Sequence, residues 1–201
     1  MDMFIWKSVV VGLAERIVGI TRRLKNNEKS DAINEVLIYG GDTDEWRRQV
    51  GLNNLFCILY IIDHAGRTID ISMPSLESDS LTKCLIEVKN RNNIEVRLIV
   101  HNVTDLCNLH SLADNGIRVK VIKSAVKLEH EFIIIDGAYS DAVAILGSLD
   151  FEVSRVNCCK GTTILSSDCT LISALQLEFN RVWLSHDDEN INNFDDSEEG
   201  S

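Results

Sequence analysis

Between Lys127 and Phe151, two short apolar runs, Phe132-Ile-Ile-Ile and Ala142-Val-Ala-Ile-Leu, flank a polar turn that holds Gly137 and runs through Tyr139 to Asp141. Apolar runs of this length around a glycine-bearing turn predict a hairpin of buried strands, Glu131 to Asp136 and Ala142 to Leu146. Upstream, strand and helix patterns alternate. Glu35 to Tyr39 reads as a first strand, ended by Gly40-Gly41, and Leu52 to His64 as a buried helix stopped by Gly66. Thr68 to Met73 is a second strand, followed by Pro74, the only proline. A helix capped by Asp79 or Ser80 runs to about Lys89, and Ile94 to Val100 is a branched strand. The unit then repeats, with a helix from Thr104 or Asp105 to Ala113, a break at Asn115-Gly116, and a strand over Ile117 to Ile122.

After the hairpin, Gly161-Thr-Thr-Ile-Leu reads as a last strand. Thr170 to Leu184 reads as a closing helix with an apolar stripe of Leu171, Ala174, Leu175, Leu177, Phe179 and Trp183. Strands alternating with helices predict a single α/β domain over 33–186, with a mixed, mostly parallel sheet flanked by helices. At 45% apolar, the 201-residue chain can bury a proper core.

The ends differ from the middle. Val10, Leu13, Ile17, Ile20 and Leu24 fall at helical spacing, with Arg16, Arg22, Arg23 and Lys25 as a basic flank. Lys7, Glu15 and Arg16 interrupt the apolar run before it reaches the roughly 20 residues of a spanning helix. Residues 1–32 therefore read as an amphipathic helix and linker, the helix either docked on its own domain or held weakly at an anionic membrane surface. The net charge of −11 is concentrated in 187–201, an acidic, aromatic-poor tail expected to be disordered. Lys89, Arg91, Arg97 and Arg118 are scattered, with no aromatic platform for RNA beside them. Cys57, Cys84, Cys107, Cys158, Cys159 and Cys169 form no Cys-x-x-Cys pair, read as buried reduced thiols, and give no metal site.

The hairpin also resembles the signature of the phospholipase D superfamily, His-x-Lys, four residues, Asp, then Gly-Ser-x-Asn on the next strand. With Asp136-Gly137 and Gly147-Ser148 as anchors, Glu129 stands at the nucleophilic His and Glu131 at the Lys. Asp136 then stands at the Asp, Ser148 at the Ser and Asp150 at the Asn. From Asn34 to Trp183 the order of elements is similar to the small, single-motif branch, the Zucchini or mitochondrial cardiolipin hydrolase type. Leu112-Ala-Asp-Asn-Gly-Ile-Arg-Val and Leu177-Glu-Phe-Asn-Arg-Val-Trp carry much of that similarity.

The resemblance implies a dimer with one motif per subunit, an N-terminal anchor in the mitochondrial outer membrane, and cutting either of RNA to make piRNA ends or of cardiolipin. The sequence departs from the branch where the chemistry lies. Glu129, Glu131 and Asp150 replace a base and two phosphate-holding groups, which turns an anion site acidic, although stabilising developing charge is usually the largest catalytic contribution. The branch's zinc-binding insertion would fall in Gly41 to Gly51, which contains neither Cys nor His.

Two readings of function follow. In the first, the motif positions Glu129, Glu131, Asp136, Ser148 and Asp150 are not competent, and the chain is a binding or regulatory partner, in a homo- or heterodimer with a phospholipase D-like chain. It takes no cofactor, and RNA or anionic lipid enters as a ligand by analogy alone. In the second, an active phosphodiesterase uses Glu129, Glu131 and Asp150 to hold a hard cation, or uses His130. Strand alternation puts His130 on the face opposite Glu129 and Glu131.

Overall fold

The computed structural model describes residues 32–40, 45–101, 107–147, 150–185 and 188–190. The elements in chain order are β1 (Asn34–Tyr39), α1 (Glu45–Asp63), β2 (Thr68–Ser72), α2 (Asp79–Asn92), β3 (Glu95–His101), α3 (Cys107–Asp114) and β4 (Arg118–Ile122). They continue with β5 (Phe132–Ile135), β6 (Val143–Gly147), β7 (Gly161–Ser166), α4 (Cys169–Trp183) and β8 (Asp188–Asn190). All eight strands form one sheet in the order β1-β7-β6-β5-β2-β3-β4-β8.

The single α/β domain with a mixed sheet is as the sequence predicts, but the balance of directions is not. Only β2–β3 and β3–β4 pair in parallel, and the other five neighbours are antiparallel. The physical reason is that among neighbouring strands only β2–β3 and β3–β4 are joined through a helix, the crossover that parallel neighbours require, whereas β1 and β2, joined through α1, are not neighbours. The β5–β6 hairpin, with Ile133 opposite Ile145, enters beside β2 in the antiparallel sense, and β7 and β1 extend that half.

The buried strand residues are divided between two cores, one on each face of the sheet. Leu37, Ile71, Ile133, Ile145 and Leu165 pack with α1, α2 and α3 residues such as Ile58, Leu85 and Leu109. Phe132, Ile134 and Ala144 face the other way and pack under Ile172, Phe179 and Val182 of α4. Here the closing helix departs from its predicted stripe, since Leu177 is 72% exposed while Ile172 and Val182 are buried.

A polar clamp fixes α4 to the sheet. Arg97 holds the buried Asp70 through two 2.6 Å hydrogen bonds, Gln176 donates to the same carboxylate at 2.7 Å, and the guanidinium lies 4.8 Å from the Phe179 ring centre. The buried Lys120 ammonium donates to the carbonyls of Val182, Trp183 and Ser185 at 2.8–3.0 Å, where a helix C-terminus favours a cation.

Helix starts are set by side chains. Ser78, rather than Asp79 or Ser80, caps α2, its hydroxyl accepting from the Leu81 amide at 3.1 Å. Helix α1 ends at Asp63, ahead of Gly66, and the Gly66 amide donates to Asp136. The thiols differ from expectation. Cys57 is buried and Cys84 half-buried, but Cys107, Cys158, Cys159 and Cys169 are exposed, because they sit at helix starts and in the loop before β7. At the far edge, residues 188–190 of the stretch read as a disordered tail pair with β4. The N-terminal segment 1–31 and the helix starts at Thr104 and Asp105 lie outside the described residues.

Asp136 anchors one end of the hairpin. It is buried at φ +52°, and its carboxylate accepts from the amides of Gly66, Arg67 and Thr68 at 2.7–2.9 Å. An amide side chain keeps the size but loses the charge and turns a donor toward donors. Asp136→Asn is therefore expected to lower the urea unfolding free energy by about 2–4 kcal/mol, with an unchanged slope against denaturant.

Candidate functional site

A cavity of about 190 Å³ opens at the end of β2 and the start of α2, lined by Met73, Ser75, Leu76, Glu77, Ser78, Glu131, Asp150, Phe151 and Arg155. Strand alternation continues one residue upstream of β5, where the Glu131 carbonyl accepts from the Gly147 amide at 3.1 Å. That register turns the half-buried Glu131 into the cavity and His130 to the α4 side, where its ring stacks on Phe132 with centres 5.4 Å apart. His130 Nε2 is buried with no hydrogen-bond partner among the described residues.

Gly147 closes β6 at φ +123°, and a Cβ there would collide with the Thr162 carbonyl, so the turn toward Asp150 requires glycine. Asp150 then folds the chain locally. Its carboxylate accepts from the Glu152 amide at 3.1 Å, and the turn that follows, with the Val156 amide donating to the Glu152 carbonyl at 2.9 Å, swings Arg155 back over it. The guanidinium binds Asp150 bidentately, at 2.7 Å from Nε and 3.2 Å from Nη2.

The neighbouring helix terminus is also taken. Glu152 accepts from the Ser80 amide at 3.2 Å, from the Ser80 hydroxyl at 3.0 Å and from the Ser78 hydroxyl at 3.4 Å. A helix N-terminus is a ready anion site, and here a carboxylate of the chain itself occupies it. Those hydrogen bonds, above all from the Ser80 amide, hold the Glu152 carboxyl below its usual range. Glu131 goes the other way. Burial, and secondarily the Asp150 charge, push it up to about 7.

Of the motif positions, the structure thus brings Glu131 and Asp150 together. Asp136 sits at the opposite end of β5 in a structural role, and Ser148 lies outside the described residues. Glu129 is exposed and does not line the cavity, so the set of three carboxylates reduces to two. Among the described residues, no three His, Cys, Asp or Glu side chains come close enough to hold a metal ion. Gly41 to Gly51 contains neither of the zinc ligand types Cys and His.

Sequence reasoning missed Arg155 and Glu152. The only trace in the sequence was an Arg five positions after Asp150, a spacing outside the i,i+3 and i,i+4 pairs of a regular helix. The scattered basic residues Lys89, Arg91, Arg97 and Arg118 are engaged within the chain. Arg97 binds Asp70, Arg91 binds Asp63 at 2.7 Å, Lys89 donates to the Ile94 carbonyl at 2.9 Å, and Arg118 pairs with Glu95.

Comparison with known proteins agrees with the fold. The family model described as cardiolipin synthase, PLD-like domain, matches residues 58–183. The mitochondrial cardiolipin hydrolase of Xenopus laevis is 26% identical over 137 residues, 67% of this chain and 63% of that protein. That of Chlamydomonas reinhardtii is 28% identical over 122 residues, 59% of this chain and 52% of that protein. The matched stretch thus spans less than two thirds of either relative's length. Among solved structures, the phospholipase D family member Nuc from Salmonella typhimurium superposes with a TM-score of 0.61 at 15% identity, covering 80% of this chain and 98% of Nuc. NucT from Helicobacter pylori gives 0.59 at 14% identity, covering 76% and 96%. At those identities the likeness is one of fold.

The Glu131 carboxyl generates a pH dependence. The folded state binds its proton more tightly than the unfolded chain, where the ordinary value is 4.5. Its contribution to stability is therefore full below that value and is lost as pH rises through about 7. With solvent screening at this half-buried site, the loss between pH 4.5 and pH 8 is expected to be about 1–2 kcal/mol. Glu131→Gln should remove that component from the pH profile of urea unfolding, leaving the variant the more stable protein at pH 8.

Proposed function

This chain belongs to the phospholipase D-like domain family, and we propose that within it the protein is a binding or regulatory partner rather than a hydrolase. The family's reaction class is phosphodiester hydrolysis, which needs a nucleophile and cations around an anion. The observation that carries the proposal is the cavity's charge. Glu77, Glu131 and Asp150 line it, with Arg155 the one basic lining residue among the described residues, and Arg155 is held bidentately by Asp150.

A phosphodiester entering this space would meet carboxylates where its oxygens need donors, and Glu152 already covers the α2 N-terminus. A positive group fits better. The partner we infer is a phospholipase D-like chain that keeps the basic His and Lys of the motif, facing this cavity across a shared interface. Our reading sets it at the mitochondrion, supported by the curated relatives named as mitochondrial cardiolipin hydrolases, and in piRNA biogenesis, supported by the resemblance to the Zucchini branch. No described helix is long and apolar enough to cross a membrane.

The purified chain is expected to give no hydrolysis of RNA, DNA or cardiolipin above background, in EDTA, Mg²⁺ or Mn²⁺ alike. The double variant Glu129→His, Glu131→Lys reports whether the scaffold can still be made competent. Metal-dependent turnover by the native chain would assign the carboxylates to catalysis. EDTA-resistant turnover lost in His130→Ala would assign it to His130. Either would overturn the proposal.

Pairing gives a second readout. Face-to-face self-association should strengthen as pH falls through about 7 and Glu131 gains its proton. Association with a basic-site chain should instead persist at pH 8 and weaken about tenfold or more on raising salt, measured by sedimentation velocity.

A further inference from the structure

The α4 face of the sheet is wider than α4. One cross-strand row runs Phe132, Leu146, Ile164, Val36 from β5 out to the β1 edge. Phe132 is buried under α4, Leu146 half-buried, Ile164 42% exposed and Val36 60% exposed. Ile38, two residues on and on the same face, is 67% exposed. The apolar surface thus continues past the helix that covers its inner half, leaving three branched side chains on β1 and β7 in water. On the opposite face the same strands are covered, since Leu37, Tyr39 and Leu165 are buried with α1.

We propose that the amphipathic stripe of residues 10–24 of this chain docks on Val36, Ile38 and Ile164 as a second helix on the α4 face. Dimensions favour that occupant. Two uncovered strands at about 4.8 Å spacing present a strip about 10 Å wide, the diameter of one helix. The fifteen residues from Val10 to Leu24 make a helix of about 22 Å, against about 20 Å for a six-residue strand such as β1. Leu24 and Asn34 are separated by nine residues, which reach at most about 30 Å, enough for the stripe to meet the strip.

Chemistry favours it too. Val10, Leu13, Ile17 and Ile20 match branched side chains, while Arg16, Arg22, Arg23 and Lys25 remain on the solvated side. This inference is independent of whether the cavity is catalytic, because it concerns the other face of the sheet.

The test places the photo-crosslinker p-benzoylphenylalanine at Ile17 in the full chain. The sample is irradiated with and without vesicles of phosphatidylcholine and phosphatidylglycerol, and adducts are mapped by mass spectrometry after digestion. The expected result is an intramolecular link to peptides containing β1 or β7, with a yield independent of protein concentration and unchanged by vesicles. Ile38→Asp with Ile164→Asp, both at exposed positions, should cut that yield at least about tenfold while far-UV circular dichroism keeps its strand signal. Links whose yield grows with concentration would assign the strip to a second copy. Links that move to lipid would assign the stripe to the membrane, and links elsewhere in the domain would assign it another dock. Each of these overturns the proposal.

Discussion

Alternation along the strand that begins at Phe132 governs how this protein can act. Side chains at successive positions leave a strand on opposite faces, and the bond between the Gly147 amide and the Glu131 carbonyl extends the ladder one residue upstream. Glu131 is therefore committed to the cavity at the start of α2, and His130 to the stack against Phe132 beneath α4. A shift of one residue would exchange them, but the same shift would turn Ile133 and Ile135 out of one core and Phe132 and Ile134 out of the other. The burial of four apolar residues thus fixes the register that puts a carboxylate, not an imidazole, in the cavity.

Charge follows from that register. In a site closed on one side by Met73, Leu76 and Phe151, two carboxylates cannot both ionise freely. Arg155 neutralises Asp150 through a two-pronged contact, while burial, with the Asp150 charge second, pushes Glu131 up to about 7. The N-terminus of α2, the other natural anion site, is filled by Glu152. A site holding a phosphodiester would keep these donors open. Here each is already engaged with an acidic group of the same chain.

Much of this was legible in the sequence because it rests on short-range pattern. The hairpin, the β2 to β4 crossover units and the closing helix all appear within a few residues of their expected limits. What was not legible depends on which distant segments meet. The sheet is mostly antiparallel because β7 and β1 assemble beside β6 rather than beyond the crossover units, and no local periodicity encodes strand order. The buried face of α4 is set by Arg97, Asp70 and Gln176 locking the helix rotation, so Ile172 and Val182 turn inward and Leu177 outward. Asp136 reads in the sequence as a motif position, and only the fold shows that three amides of the Gly66 to Thr68 segment consume its carboxylate. Arg155 escaped notice because a guanidinium five residues from Asp150 acquires meaning only once the turn between them is formed.

On the proposed reading the carboxylates of this cavity repel the anion that its family's chemistry requires, and phosphate binding tests this directly. Inorganic phosphate titrated into the full chain at pH 8, followed by ³¹P line broadening, should show no saturable site at millimolar concentration. Saturable binding that disappears in Arg155→Ala would mean that the guanidinium leaves Asp150 for a phosphate, and would contradict the account.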